Sequence, residues 1–201
     1  MKFTAKTTAT LWGAAGVGWV ANAALGLGAA DGTGGFYVTE LVWLPVHALV
    51  LGGLLGLDAL AVTGDSRWGK AGLRLAIAGR VLFLAAEGVS IAVGNDDVPL
   101  LPLAAVTTAL GMLAAGAAII RARRLTGWPR YLPITVGAYP FVFMFPVLAV
   151  TGERPDLGVT GWGLTFIGVA AALWTAATRG SRRSDISRDS TNTRSSARLS
   201  A

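Results

Sequence analysis

Ionisable side chains stand inside otherwise apolar sequence, among them Glu40, His47 and Asp58 in one stretch, Arg80 and Glu87 in the next. At 100° per residue, separations of seven, eleven and eighteen nearly close whole helical turns, so the first three share one stripe. Arg80 and Glu87, seven apart, likewise share a face. A short turn, Asp65 to Lys70, joins the two stretches as an antiparallel hairpin. His47 and Glu87 then fall at one depth, about 24 Å from the inner ends at ~1.5 Å per residue. Asp58 and Arg80 differ by a depth that a long Arg side chain spans. The spacing predicts two cross-helix pairs, His47–Glu87 and Asp58–Arg80.

A charge at such depth in lipid costs roughly 2.5–3.5 kcal/mol, so it pairs or it serves a function. Imidazole is the side chain whose charge changes near neutral pH, and His47 with Glu87 suits a proton-responsive pair on a substrate path. Asp58 with Arg80 suits an electrostatic lock that fixes the hairpin register, or else a gate.

The elements that must position these groups follow from composition. The 201 residues are 53% hydrophobic and 14% charged, with mean hydropathy +0.58. The apolar residues form six blocks, 8–29, 40–63, 71–94, 100–120, 133–151 and 161–178. Each approaches the ~20 residues that cross a ~30 Å hydrocarbon core as helix, and none alternates like a strand. The sequence predicts an all-α, six-span integral membrane protein over residues 1–178, with a basic tail, 179–201, rich in Ser, Thr and Arg and expected to be disordered.

Cations gather before the first block and in alternate connections: Lys2 and Lys6, Arg67 and Lys70, then Arg121, Arg123, Arg124 and Arg130. The other connections carry Asp31, Glu40, Asp96, Asp97, Glu153 and Asp156, with Arg154. The positive-inside bias predicts both termini in the cytoplasm of a cell whose inner (plasma) membrane holds the protein. Tyr37, Trp43 and Trp162 read as outer interface markers, and Trp68, Trp128, Tyr131 and Trp174 as inner ones. The formal charge of +6 then faces anionic lipid and asks for no nucleic acid. A rival reading takes Lys2, Lys6 and Ala21-Asn22-Ala23 as a cleaved secretory signal. The apolar run through Leu25 and Leu27 to Ala30 favours a retained helix. The Ala, Gly and Arg bias suggests a high-GC bacterium.

An internal echo divides the chain. Trp43-Leu44-Pro45 returns as Tyr131-Leu132-Pro133, and Leu60-Ala61-Val62-Thr63-Gly64 as Leu148-Ala149-Val150-Thr151-Gly152, both 88 positions on. With one residue inserted, Gly69, Gly72, Leu75 and Gly79 match Gly158, Gly161, Leu164 and Gly168. Three spans per half predict a 3+3 inverted repeat, halves about 7–94 and 95–178. Pro140 and Pro146 break the fifth span where the second has Gly52 and Asp58, with Gly53 and Gly56 nearby. Helix breaks at Gly52, Gly53, Pro140 and Pro146 would open a solute path among the second, third and fifth helices. The blander reading is that these residues kink or pack helices without further role. Trp128, Thr135 and Pro146 hold the positions of Glu40, His47 and Asp58, so any chemistry belongs to the first half.

Other patterns carry less. With no cysteine there is no disulfide or thiolate ligand, and one histidine makes neither a bis-histidine haem site nor a multi-histidine metal site; no cofactor is expected. Asp31-Gly32-Thr33-Gly34-Gly35 lacks the Lys of a phosphate loop. Trp12 and Trp19 share a packing face. Gly13, Gly16, Gly18, Gly26 and Gly52-x-x-x-Gly56 make small-residue surfaces for helix contact within the chain or between copies in a homo-oligomer. The expected partners are the lipid bilayer and an unidentified solute or membrane protein. The leading expectation is a small transporter or channel. A non-transporting accessory protein is the alternative, and a membrane enzyme acting on a lipid-soluble substrate ranks third.

Overall fold

The computed structural model describes residues 3–25, 29–125, 127–151 and 156–199, which contain helices and turns and no strand. The helices are α1 (Ala5–Leu25), α2 (Gly34–Ala59), α3 (Arg67–Val93), α4 (Leu100–Ala122), α5 (Leu132–Tyr139), α6 (Phe145–Thr151) and α7 (Asp156–Leu199). A 3-10 turn, Trp128–Tyr131, leads into α5, and a π turn, Pro140–Met144, joins α5 to α6. These four pieces make one rod, so the fold has six rods.

Side-chain oxygens start two of them. Thr33 Oγ1 accepts from the Phe36 N–H at 3.3 Å and Ser66 Oγ from the Gly69 N–H at 3.1 Å, each satisfying a donor that a first helical turn leaves free. The irregular rod owes its break to proline. Pro140 has no N–H to give Val136, four residues back, and the backbone widens into the π turn closed by the Phe145 N–H on the Pro140 carbonyl. Pro146 lies in the first turn of α6, just past this break.

α2 departs from the expectation of a matching break. It is α-helical from end to end, through Pro45, Gly52 and Gly53. A glycine keeps its N–H, so the hydrogen-bond ladder continues past it. These glycines instead seat α1: a Cβ at Gly53 would lie 2.7 Å from Trp12 Nε1, and one at Gly52 3.3 Å from Leu11.

Five rods are long and apolar enough to cross a membrane: Gly34–Ala59, Arg67–Val93, Leu100–Ala122, Trp128–Val150 and Gly158–Arg179. The first block of the sequence-based expectation, α1, has 21 residues and so the length, but Lys6, Thr7, Thr8, Thr10 and Asn22 make it less apolar.

Each rod packs on the next along the chain, and α7 returns to α1, closing a ring. The two closest pairs are α3 with α4 and α1 with α7. Both hinge on reciprocal glycines. A Cβ on Gly72 would come 2.8 Å from the Gly111 carbonyl and one on Gly111 2.6 Å from the Gly72 carbonyl; Gly16 and Gly163 repeat the arrangement at 2.8 and 3.1 Å. Backbones approach this closely only over small residues, and such packing holds helices together where burial from water does not help.

The echoed pentapeptides differ in conformation. Leu60–Gly64 forms the α2–α3 turn, with Ala61 at φ 48° and Gly64 at φ 61°, whereas its counterpart is helical as far as Thr151. Gly152, Glu153 and Arg154 lie outside the described residues, as do Gly26 and Gly28. Beyond Arg179 the backbone continues the helix of α7 to Leu199, through the segment whose composition predicts disorder. A helix already nucleated in the preceding span extends without a new nucleation cost. The side chains of residues 180–199 are outside the described set.

Candidate functional site

The up-and-down course gathers the α1–α2 and α3–α4 connections and the start of α7 at one end of the ring. A cavity of about 850 Å³ opens there and descends to mid-bundle. All six rods line it: α1 through Trp19 and Asn22, α2 through Thr39, Glu40, Trp43 and His47, α3 through Phe83 and Glu87, α4 through Leu101 and Ala105, the broken rod through Met144, Phe145 and Leu148, and α7 through Val159 and Trp162. Asp31, Asp96 and Asp97 lie at its mouth, and among the described residues no Lys or Arg lines it.

A chain of polar groups forms the floor. His47 Nε2 lies 3.0 Å from Glu87 Oε1, and Arg80 Nη1 lies 3.0 Å from His47 Nδ1. His47, Arg80 and Glu87 are all buried, as is Glu40, whose carboxyl lies beside that of Glu87. Donor chemistry assigns the tautomer. A guanidinium only donates, so His47 Nδ1 must accept; the ring hydrogen therefore sits on Nε2 and is donated to Glu87. The run Arg80–His47–Glu87 is thus a cation, a neutral ring and an accepting carboxyl in sequence.

Aromatic rings hold this chain in place. The Arg80 guanidinium carbon lies 4.6 Å from the ring centre of Trp162, 4.8 Å from Phe83, 5.2 Å from Trp19 and 5.3 Å from Phe166. Ring faces attract a desolvated cation by about 2 kcal/mol or more. His47 stacks on Phe83 at 4.6 Å and meets Trp19 edge-on at 5.2 Å. The two tryptophans are themselves fastened by their indole N–H groups. Trp19 donates to the Val159 carbonyl at 2.7 Å, and Trp162 to the Val136 carbonyl at 2.8 Å, the acceptor that Pro140 leaves free.

Of the two predicted cross-helix pairs, His47–Glu87 is present, as a hydrogen bond from the neutral ring to the carboxyl. Asp58 and Arg80 do not meet. α2 ends at Ala59 and α3 already begins at Arg67, so Asp58 lies in the last turn of α2 while Arg80 is about 20 Å along α3 at ~1.5 Å per residue. Asp58 is exposed and Arg80 turns to His47 instead. Gly52 and Gly53 line no part of the cavity, and the prolines act through the shape of their rod.

Several site residues lie outside the pattern that the sequence predicts. Trp162, taken as an interface marker, is 1% exposed and forms part of the cage. Asn22, taken within a cleavage-site pattern, donates its Nδ2 to the Thr39 carbonyl at 3.0 Å and lines the cavity. Phe83 and Phe166 had no signal beyond aromatic character. Glu40 had one, its place on the His47 stripe. Among the described residues no three His, Cys, Asp or Glu side chains gather as a metal would require. Comparison of the chain with protein-family models, with curated proteins and with solved structures gives no match in any of the three.

Proposed function

We propose that the protein is a six-span membrane transporter that receives a small solute in the central cavity. The observation that carries this reading is a cavity walled by all six rods, with a polar floor near mid-bundle. Charged groups at such depth in a membrane bundle mark solute or proton pathways by default. Below Arg80 the interior is filled by Leu54, Leu57, Leu73, Met112 and Ile119, all essentially unexposed, which favours alternating access over an open channel.

Two further features support the reading. In a 3+3 inverted repeat, α3 with α4 exchanges with α7 and α1, and these are the two closest pairs, each with a reciprocal glycine crossing. α1 counts as the sixth span because it closes that ring and supplies Trp19 and Asn22. The mouth is acidic, whereas Arg67, Lys70, Arg121, Arg123 and Arg124 lie at the opposite end. By the positive-inside rule the cavity then faces out and both termini face the cytoplasm.

The absence of cysteine makes thiol labelling free of background. A membrane-impermeant maleimide is expected to modify Ala105→Cys from the cavity side in intact cells, and Leu57→Cys from the opposite side in inverted vesicles. Ala105→Cys labelled with Leu57→Cys protected on both sides, in protein shown to be folded, describes a one-sided pocket and overturns transport in favour of an accessory or receptor role.

A further inference from the structure

The cavity has a chemical bias that the transport reading does not require. Among the described residues its acidic side chains are Asp31, Glu40, Glu87, Asp96 and Asp97, and none of fixed positive charge lines it. Acidic residues alone would only describe a solvated mouth. Deeper in, however, three buried side-chain oxygens receive no hydrogen bond from an amide, hydroxyl or cationic group of the chain: Asn22 Oδ1, Glu40 Oε2 and Glu87 Oε2, the last two on carboxyls that lie against each other. Their residues are 1%, 7% and 4% exposed, and all three line the cavity. The Asn22 amide cannot be turned to remove its orphan, because only its nitrogen can donate to the Thr39 carbonyl. Buried polar atoms are nearly always satisfied, and three free acceptors in one chamber describe the complement of a donor that is not part of the chain.

We propose that the cavity binds a primary amine carried on an apolar or aromatic group, its ammonium held by Asn22, Glu40 and Glu87. The proposal rests on the transport reading and names its substrate class. A primary ammonium has three N–H donors and one positive charge, matching three acceptors of which two are carboxylate oxygens. A quaternary ammonium has the charge without the donors, and an alcohol has one donor without the charge. The rest of the lining suits the other end of the molecule: Trp43, Phe36, Phe145, Leu101 and Leu148 give apolar and aromatic surface, and the volume is that of a small-molecule pocket. Arg80 does not repel the ligand at contact. It is absent from the lining, and the neutral His47 ring lies between its Nη1 and Glu87.

The test is equilibrium binding to the full chain in nanodiscs, read by tryptophan fluorescence, since Trp19, Trp43 and Trp162 line the cavity. The probes are hexylamine, phenethylamine and tryptamine, with phenyltrimethylammonium and 3-phenylpropan-1-ol as the charge-only and donor-only comparisons. At least one primary amine is expected to bind at or below about 1 mM and about tenfold or more tighter than both comparisons. Glu40→Gln is expected to weaken it by tenfold or more, the weight of one charge-assisted hydrogen bond. Asp96→Asn, at the solvated mouth, gives a second variant should Glu40→Gln fold poorly, with a smaller loss that disappears at high salt.

Equal binding of the alcohol or the quaternary ion overturns the proposal, as does an amine affinity indifferent to Glu40→Gln in folded protein, or to Asp96→Asn at low salt where that variant stands in. So does the failure of all three amines. In that last case Ala105→Cys labelling separates the two levels: an open, labelled cavity removes the amine and leaves a path for another solute, whereas a protected one removes the path as well.

Discussion

The two ends of the ring are built from the same rods with opposite means. At the cavity end the interior is lined by large or polar groups, among them Trp19, Trp43, Trp162, Glu40 and Glu87, whose bulk holds the rods apart around a chamber. At the other end small residues let backbones close. A Cβ at Gly116 would come 2.6 Å from the Ile134 Cα, and one at Gly69 2.4 Å from the Ala118 Cβ. The contrast teaches that the closed half is specified by what its side chains lack. The open half is specified by what they carry.

The largest expected effect tests whether polar groups or packing hold the junction of the two halves. Arg80→Leu removes the cation of the floor and leaves His47 Nδ1 without its donor and the adjoining Glu40 and Glu87 carboxyls without compensation. Breaking a buried charged pair from one side costs about 3–5 kcal/mol, so denaturant unfolding in detergent should show a loss of that order. A variant that unfolds like the natural chain would mean that the aromatic cage alone sustains the junction.

A smaller effect separates the ends directly. Gly116→Ala forces a methyl against the Ile134 backbone and should cost about 1–3 kcal/mol. Gly88→Ala, towards the cavity end of α3, meets open space and should be neutral or stabilising by up to about 1 kcal/mol from helix propensity. Equal costs at both positions, by the same unfolding measurement, would erase the contrast.

The smallest effect concerns the broken rod. Trp162→Phe leaves the Val136 carbonyl without the indole donor and should cost about 1–3 kcal/mol. In a Pro140→Ala background the restored N–H competes for that carbonyl, and the same substitution should cost about 1 kcal/mol less. Identical costs in the two backgrounds would show that the proline and the indole act independently.

Much of this was legible in the residues. Apolar blocks near membrane length located every rod, although α2 and α3 begin six and four residues before their blocks, because the capped first turns Gly34–Thr39 and Arg67–Lys70 join the helix. Seven-residue spacing and hairpin depth found His47 with Glu87. The same reasoning misplaced Arg80, because Asp58 falls in the exposed last turn of α2 and the long Arg side chain reaches the other way, to His47. The aromatic cage was hidden for another reason: which side of a tryptophan-bearing helix turns inward depends on the neighbours that the ring supplies, and local sequence does not record them. A glycine pattern likewise does not say whether backbone breaks or closes, and in α2 it closes.

The bond from Trp162 to the Val136 carbonyl gives Pro140 a meaning beyond its own rod. A regular helix would consume that acceptor internally and offer α7 nothing to read. The vacant carbonyl acts as an address, fixing how α7 is rotated about its axis and hence which of its side chains enter the chamber. Positions 140 and 162 are therefore tied through a single backbone oxygen, although 22 residues of chain separate them.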